Sequence, residues 1–147
     1  MQKILLVENS ISDAVLLRRV LKAVNVLNPV IYVSDGAEAM SCLEQVEKKA
    51  GSDASAVPGI LFLDLNVPTV SCVEILTHLQ GRTLFSEMLT IVMGDPADKA
   101  NLRAAYTLGA KTFVAKPINA AEVRGPINDY PAHWELKKTE PSVPALK

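Results

Sequence analysis

Two rhythms of apolar residues alternate along this chain. Short unbroken runs occur at Ile4-Leu5-Leu6-Val7, Val30-Ile31-Tyr32-Val33, Gly59-Ile60-Leu61-Phe62-Leu63, Leu89-Thr90-Ile91-Val92-Met93 and Thr112-Phe113-Val114-Ala115. Runs of this length and composition read as strands buried on both faces. Between them, apolar residues return every three or four positions, the spacing of amphipathic helices. Leu17, Val20, Leu21 and Val24 mark a first helix from about Ser12, ended by Asn28-Pro29; Ala39, Met40, Leu43 and Val46 mark a second, after a turn at Asp35-Gly36. Cys72, Ile75, Leu76 and Leu79 mark a third. Leu102, Ala105 and Tyr106 mark a fourth, closed by Gly109 at its C-cap. The spacing leaves open whether Tyr106 faces the core or a partner. The aperiodic stretch 50–58, with Gly, Ser, Asp and Pro, predicts a surface loop.

Five strand–helix alternations with short links predict an α/β fold, a doubly wound five-stranded parallel sheet with helices on both faces; the flavodoxin-like order 2-1-3-4-5 is a common solution for such a chain and is the one expected. After Asn119 the rhythm weakens, and Gly125-Pro126 is expected to interrupt any single long helix there. From Thr139 onward there are two prolines and no periodicity. Residues 1–138 are therefore expected to form the domain and 139–147 a flexible tail.

Composition narrows the function classes. The 147 residues suit one domain, and 49% hydrophobic with 21% charged is ordinary for a globular chain. A formal net charge of -1 with no basic runs gives no footprint for nucleic acid or an anionic membrane. No apolar stretch approaches a membrane span and no signal-peptide pattern opens the chain, so a cytoplasmic location is expected. Cys42 and Cys72 fall in different predicted helices without Cys-x-x-Cys spacing, which favours small buried residues over metal or redox chemistry. His78, Glu44, Glu47, Lys48 and Lys49 read as solvated helix faces. Trp134, beside His133, reads as a packing anchor or part of a dimer interface.

Chemistry concentrates at three strand ends. The first run ends in Glu8-Asn9, the third in Asp64-Leu65-Asn66-Val67-Pro68 and the fifth in Lys116-Pro117. Open parallel sheets hold their ligands outside the carboxyl ends of their strands, and the predicted order brings these ends together. Two carboxylates around one crevice need a counter-ion, and hard oxygen ligands there suit Mg²⁺. Lys116 can pair with Asp64 or with an anion attached to it. A carboxylate nucleophile accepting a phosphoryl group and a structural Asp64–Lys116 ion pair both fit this placement.

The ordered motifs Ile4-Leu5-Leu6-Val7-Glu8-Asn9, Asp35-Gly36-Ala37-Glu38-Ala39, Asp64-Leu65-Asn66-Val67-Pro68, Leu108-Gly109-Ala110 and Lys116-Pro117 resemble the receiver domains of two-component response regulators over residues 3 to about 118. The first and third motifs, and more weakly Tyr130 to Trp134, look most like stand-alone receivers associated with bacterial phytochromes. The resemblance implies Asp64 as phosphoacceptor, with Glu8, Asn9 and the Asn66 carbonyl joining Asp64 around Mg²⁺. It implies Lys116 on the phosphoryl oxygens, a cis peptide to Pro117 and Phe113 at an aromatic switch position. It also implies a sensor histidine kinase, with a phytochrome-type kinase as candidate, a downstream protein partner, and a homodimer as an open alternative. Neither nucleic acid nor membrane is expected as partner.

Four positions depart from that pattern. Asn9 replaces an Asp, keeping an oxygen ligand without its charge, so Mg²⁺ binding is expected to weaken. Gly94 stands where the family carries a Ser or Thr hydroxyl that binds the phosphoryl group, and Asp95 beside it would repel one. Cys72 stands where a Gly usually follows the acceptor loop. Gly125-Pro126 interrupts the final helix. Two readings follow: a phosphorelay switch in which Asp64 accepts a phosphoryl group, and a pseudo-receiver that binds its partner independently of phosphorylation. Neither involves turnover of a diffusible substrate. A flavodoxin-like cofactor binder is disfavoured, since no Gly-rich phosphate loop follows the first strand.

Overall fold

The computed structural model describes residues 2–49, 51 and 56–129. Most of the predicted surface loop, the Tyr130–Trp134 stretch and the predicted tail lie outside the described residues. Five strands, β1 (Ile4–Val7), β2 (Val30–Val33), β3 (Ile60–Asp64), β4 (Leu89–Gly94) and β5 (Thr112–Ala115), alternate with five helices. These are α1 (Ile11–Ala23), α2 (Gly36–Lys49), α3 (Cys72–Leu79), α4 (Lys99–Thr107) and α5 (Ala120–Asp129). All strand pairs are parallel, in the order β2-β1-β3-β4-β5.

The unbroken apolar runs are explained by two cores. Successive strand side chains point to opposite faces, so Leu5, Val7, Leu61, Leu63 and Val92 pack with α2, α3 and Ala105 of α4. Ile4, Leu6, Ile60, Phe62, Ile91 and Met93 pack on the other face with Leu17, Val20 and Leu21 of α1 and Val123 and Ile127 of α5. The central strands β1, β3 and β4 are buried throughout, as helices on both faces require.

Three sequence expectations need correction. Asp35-Gly36 is a helix start rather than a separate turn: the Asp35 carboxylate accepts the Glu38 backbone N–H at 2.8 Å, and Gly36 is the first residue of α2. Gly36 is required there because a Cβ would stand 1.8 Å from the Val70 carbonyl oxygen. Secondly, α5 runs through Gly125-Pro126 to Asp129. Proline removes one hydrogen bond, but Val123 and Ile127, four apart, are fully buried on the sheet and hold the helix across it. Thirdly, His78 and Glu47 are not merely solvated. Packing of α2 on α3 brings His78 Nε2 to 3.1 Å from Glu47 Oε2, with Arg82 Nη1 at 3.6 Å from the same oxygen. Tyr106, left open by the spacing, is half exposed on α4.

Candidate functional site: a carboxylate crevice at the strand ends

Each side chain of the crevice is delivered by a strand end or the turn after it. Beyond β1, the Glu8 N–H continues the pairing to β2 by donating to the Val33 carbonyl at 3.1 Å. This holds Glu8 at the sheet edge with only 1% exposure. Its Oε2 accepts the Ser10 N–H at 3.1 Å, and Tyr32 Oη donates to its backbone carbonyl at 2.8 Å. Asp64 ends β3. The Leu65 N–H donates to the Met93 carbonyl at 2.8 Å, turning the chain away from the sheet and leaving the Asp64 side chain at the crevice floor. One of its oxygens, Oδ1, accepts the Asn66 N–H at 3.2 Å. Lys116 follows β5, anchored by donation of its own N–H to the Gly94 carbonyl at 2.9 Å. Adjacent strands lie about 4.8 Å apart, so the lysine stem must cross the end of β4 to reach β3 and β1.

Its ammonium arrives among three carboxylates. Lys116 Nζ lies 2.8 Å from Glu8 Oε1, 3.0 Å from Asp13 Oδ2 and 3.4 Å from Asp64 Oδ1. Only the Asp13 contact has hydrogen-bond direction. The Glu8 contact is the shortest of the three, an ion pair without hydrogen-bond geometry. Glu8 Oε1 is thus buried with no hydrogen-bond partner among the described residues. Burial pushes the Glu8 carboxyl up to about 7, against the pull of Lys116 and the Ser10 N–H, and nearby Asp64 adds to the rise. For Lys116, burial acts downward, but the Glu8 and Asp13 contacts and the Asp64 charge outweigh it and leave the ammonium raised.

The predicted residues Glu8, Asn9, Asp64, Asn66, Gly94, Lys116 and Pro117 all line this one crevice, together with Asp95. Asn9 and Asn66 lie exposed on its rim. The Lys116–Pro117 peptide is cis. Phe113 does not line it; it lies half buried, packed against the core beneath α2, α3 and α4. At Gly94 a Cβ would lie 2.9 Å from Leu65 Cβ, so Leu65 fills the space a larger residue would need. Cys72 opens α3, buried, its thiol pushed up to about 12 by burial and by the Asp64 charge.

Sequence reasoning missed Asp13. Its signal was the Ser10-x-x-Asp13 spacing of a helix N-terminus, where the Asp13 N–H donates to Ser10 Oγ at 3.2 Å.

The orphaned Glu8 oxygen, the Asp64 carboxylate and the neighbouring Asn9 and Asn66 fit a hard, oxygen-liganded divalent cation. The donor set holds no soft ligand, and a cation would satisfy the one buried acceptor that Lys116 leaves poorly served.

The profile of the response regulator receiver domain matches residues 4–128. The response regulator Rcp1 of Synechocystis sp. is 26% identical over 139 residues, covering 95% of this chain and 92% of its own. Its Mn²⁺-bound structure superposes with a TM-score of 0.69 at 26% identity, covering 99% of this chain and all of that one (100%). The bacteriophytochrome response regulator RtBRR gives a TM-score of 0.77 at 27% identity over 97% of this chain and 86% of its own. The phosphorylated cyanobacterial phytochrome response regulator RcpA gives 0.72 at 25% identity, over 93% and 99%. A parallel sheet of this order, a carboxylate crevice at its strand ends and a match along nearly the whole described chain agree: the protein belongs to the response regulator receiver-domain family.

Proposed function

We propose that Asp64 accepts a phosphoryl group from a sensor histidine kinase and that the domain signals the change through protein contacts. The observation that carries this reading is the seating of Asp64: an 8% exposed carboxylate facing an open crevice, one oxygen held by the Asn66 N–H, with an ammonium at 3.4 Å. In-line attack by an Asp64 oxygen on the donor phosphorus forms the aspartyl phosphate as the bond to the donor breaks and its electron pair leaves with the donor. Water later attacks the phosphorus, returning the carboxylate and inorganic phosphate. Lys116 meets the charge on the transferred oxygens. Glu8, Asp64, the Asn66 carbonyl and the neutral Asn9 amide would hold Mg²⁺, which would supply further neutralisation of those oxygens. No diffusible substrate is turned over beyond the phosphodonor. RcpA and RtBRR, phytochrome-linked by name, favour a phytochrome-type kinase, and the exchange in this reading takes place in the cytoplasm.

The output face in this reading comprises α4, β5 and α5, where Tyr106 stands 49% exposed; self-association would use the same face. One observation favours the pseudo-receiver reading. Residue 94 carries no hydroxyl, and Leu65 occupies the space a side chain there would take.

Incubation with Mg²⁺ and acetyl phosphate, followed by intact-mass measurement, separates the two. One added phosphoryl group, lost in Asp64→Ala, is the expected result. No addition, with partner binding indifferent to Asp64→Ala, leaves the pseudo-receiver.

A further inference from the structure

Two helices of this protein begin with the same sequence device and use it differently. At α3, Ser71 Oγ accepts the Glu74 N–H at 3.1 Å while the Glu74 carboxylate accepts the Ser71 N–H at 3.0 Å, a closed reciprocal cap. At α1, Ser10 Oγ likewise accepts the Asp13 N–H, but the Ser10 N–H is taken by Glu8 Oε2. The Asp13 carboxylate is thereby released from capping. It turns into the crevice and takes the directional hydrogen bond of Lys116 at 3.0 Å.

We propose that Asp13 is a positioning residue that holds the Lys116 ammonium at the mouth of the crevice and competes for it with any anion arriving on Asp64. Nζ lies nearest the buried Glu8, at 2.8 Å, but it is closer to Asp13 than to Asp64, and the Asp13 contact alone is directional. An anion on Asp64 must draw the ammonium toward itself, away from an opposite charge already satisfied. Asp13 therefore lowers the affinity of the resting site for anions. It also supplies the crevice with a third carboxylate where Asn9 brings none.

The anion arm of the test rests on Asp64 as phosphoacceptor; a second arm does not. Asp13→Asn retains the backbone N–H that serves the Ser10 cap, so α1 keeps its start. Asp95→Asn is the control, because Asp95 lines the same crevice but turns its Oδ1 to the Ala97 N–H at 2.9 Å. In protein free of metal and anion at fixed pH, the ¹⁵N resonance of the Lys116 ammonium is expected to shift in Asp13→Asn and to stay in place in Asp95→Asn. With saturating Mg²⁺, the half-saturating concentration of beryllofluoride is expected to fall about fivefold in Asp13→Asn and less than about twofold in Asp95→Asn. Asp13→Glu, which keeps the charge, returns the wild-type value. An unmoved lysine resonance, or equal effects of the two Asn variants on beryllofluoride, overturns the proposal. Wild-type protein that refuses beryllofluoride while its lysine resonance still responds to Asp13→Asn overturns the phosphoacceptor reading and leaves the Asp13 contact standing.

Discussion

Glu8 and Gly94 are the two residues at which the crevice departs most from solvent-exposed chemistry. In the folded protein the Glu8 carboxyl sits at about 7, against an ordinary 4.5, because burial disfavours its charge. The fold thus retains a proton that the unfolded chain has already released between those values. The stability linked to that proton is fully present below about pH 4.5 and is lost as pH rises through about 7. Thermal unfolding without metal is expected to show Tm falling by roughly several degrees over that interval, with Glu8→Gln flattening the slope. Mg²⁺ added at pH 7 is expected to recover the loss, since a cation satisfies the ionised form. At residue 94, Gly94→Thr places a Cβ at 2.9 Å from Leu65 Cβ and is expected to cost about 1–3 kcal/mol by overpacking. Urea denaturation of Gly94→Thr, Leu65→Gly and the double variant should show the double costing less than the sum, because removing the Leu65 Cβ vacates the space the threonine fills. Additive costs would mean that Leu65 does not set the choice of glycine.

At the scale of elements, α1 to α4 and all five strands follow the apolar spacing, because each helix presents one stripe to a sheet that is covered on both sides. The final helix did not follow local chemistry. Gly125 and Pro126 argue against a helix, yet α5 passes through them because Val123 and Ile127 dock against β-strand residues far away in sequence. The local cost remains in the folded state and can be recovered. Pro126→Ala, which restores a backbone N–H to the helix and lifts the restriction that the proline ring places on Gly125, is expected to stabilise by about 1–3 kcal/mol. Chemical denaturation measures this, and a neutral or destabilising result would indicate that α5 does not continue through residue 125 in solution. The pairing of His78 and Arg82 with Glu47 was hidden for a related reason: helical spacing assigns each residue to a face, but only packing decides which neighbouring helix that face meets.

On the scale of the whole molecule, the two cores make the interior reagent-proof except through unfolding. Cys72 is 2% exposed with its thiol pushed up to about 12, whereas Cys42 is half buried. Thiol labelling near pH 8 is expected to modify Cys42 first, with Cys72 reacting only as fast as the domain opens. Equal rates for both would contradict the buried start of α3. The apolar runs, helical spacings and turn residues by themselves determined the five alternations and a parallel sheet covered on both faces; the order 2-1-3-4-5, and with it the convergence of Glu8, Asp64 and Lys116, was expected as a common solution for such a chain and is the one the fold takes. Tertiary structure alone decided that Asp13 joins Glu8 and Asp64 around the lysine, what fills the space beside Gly94 and how far α5 runs. Those outcomes depend on distances between residues remote in sequence, of which local patterning carries no record.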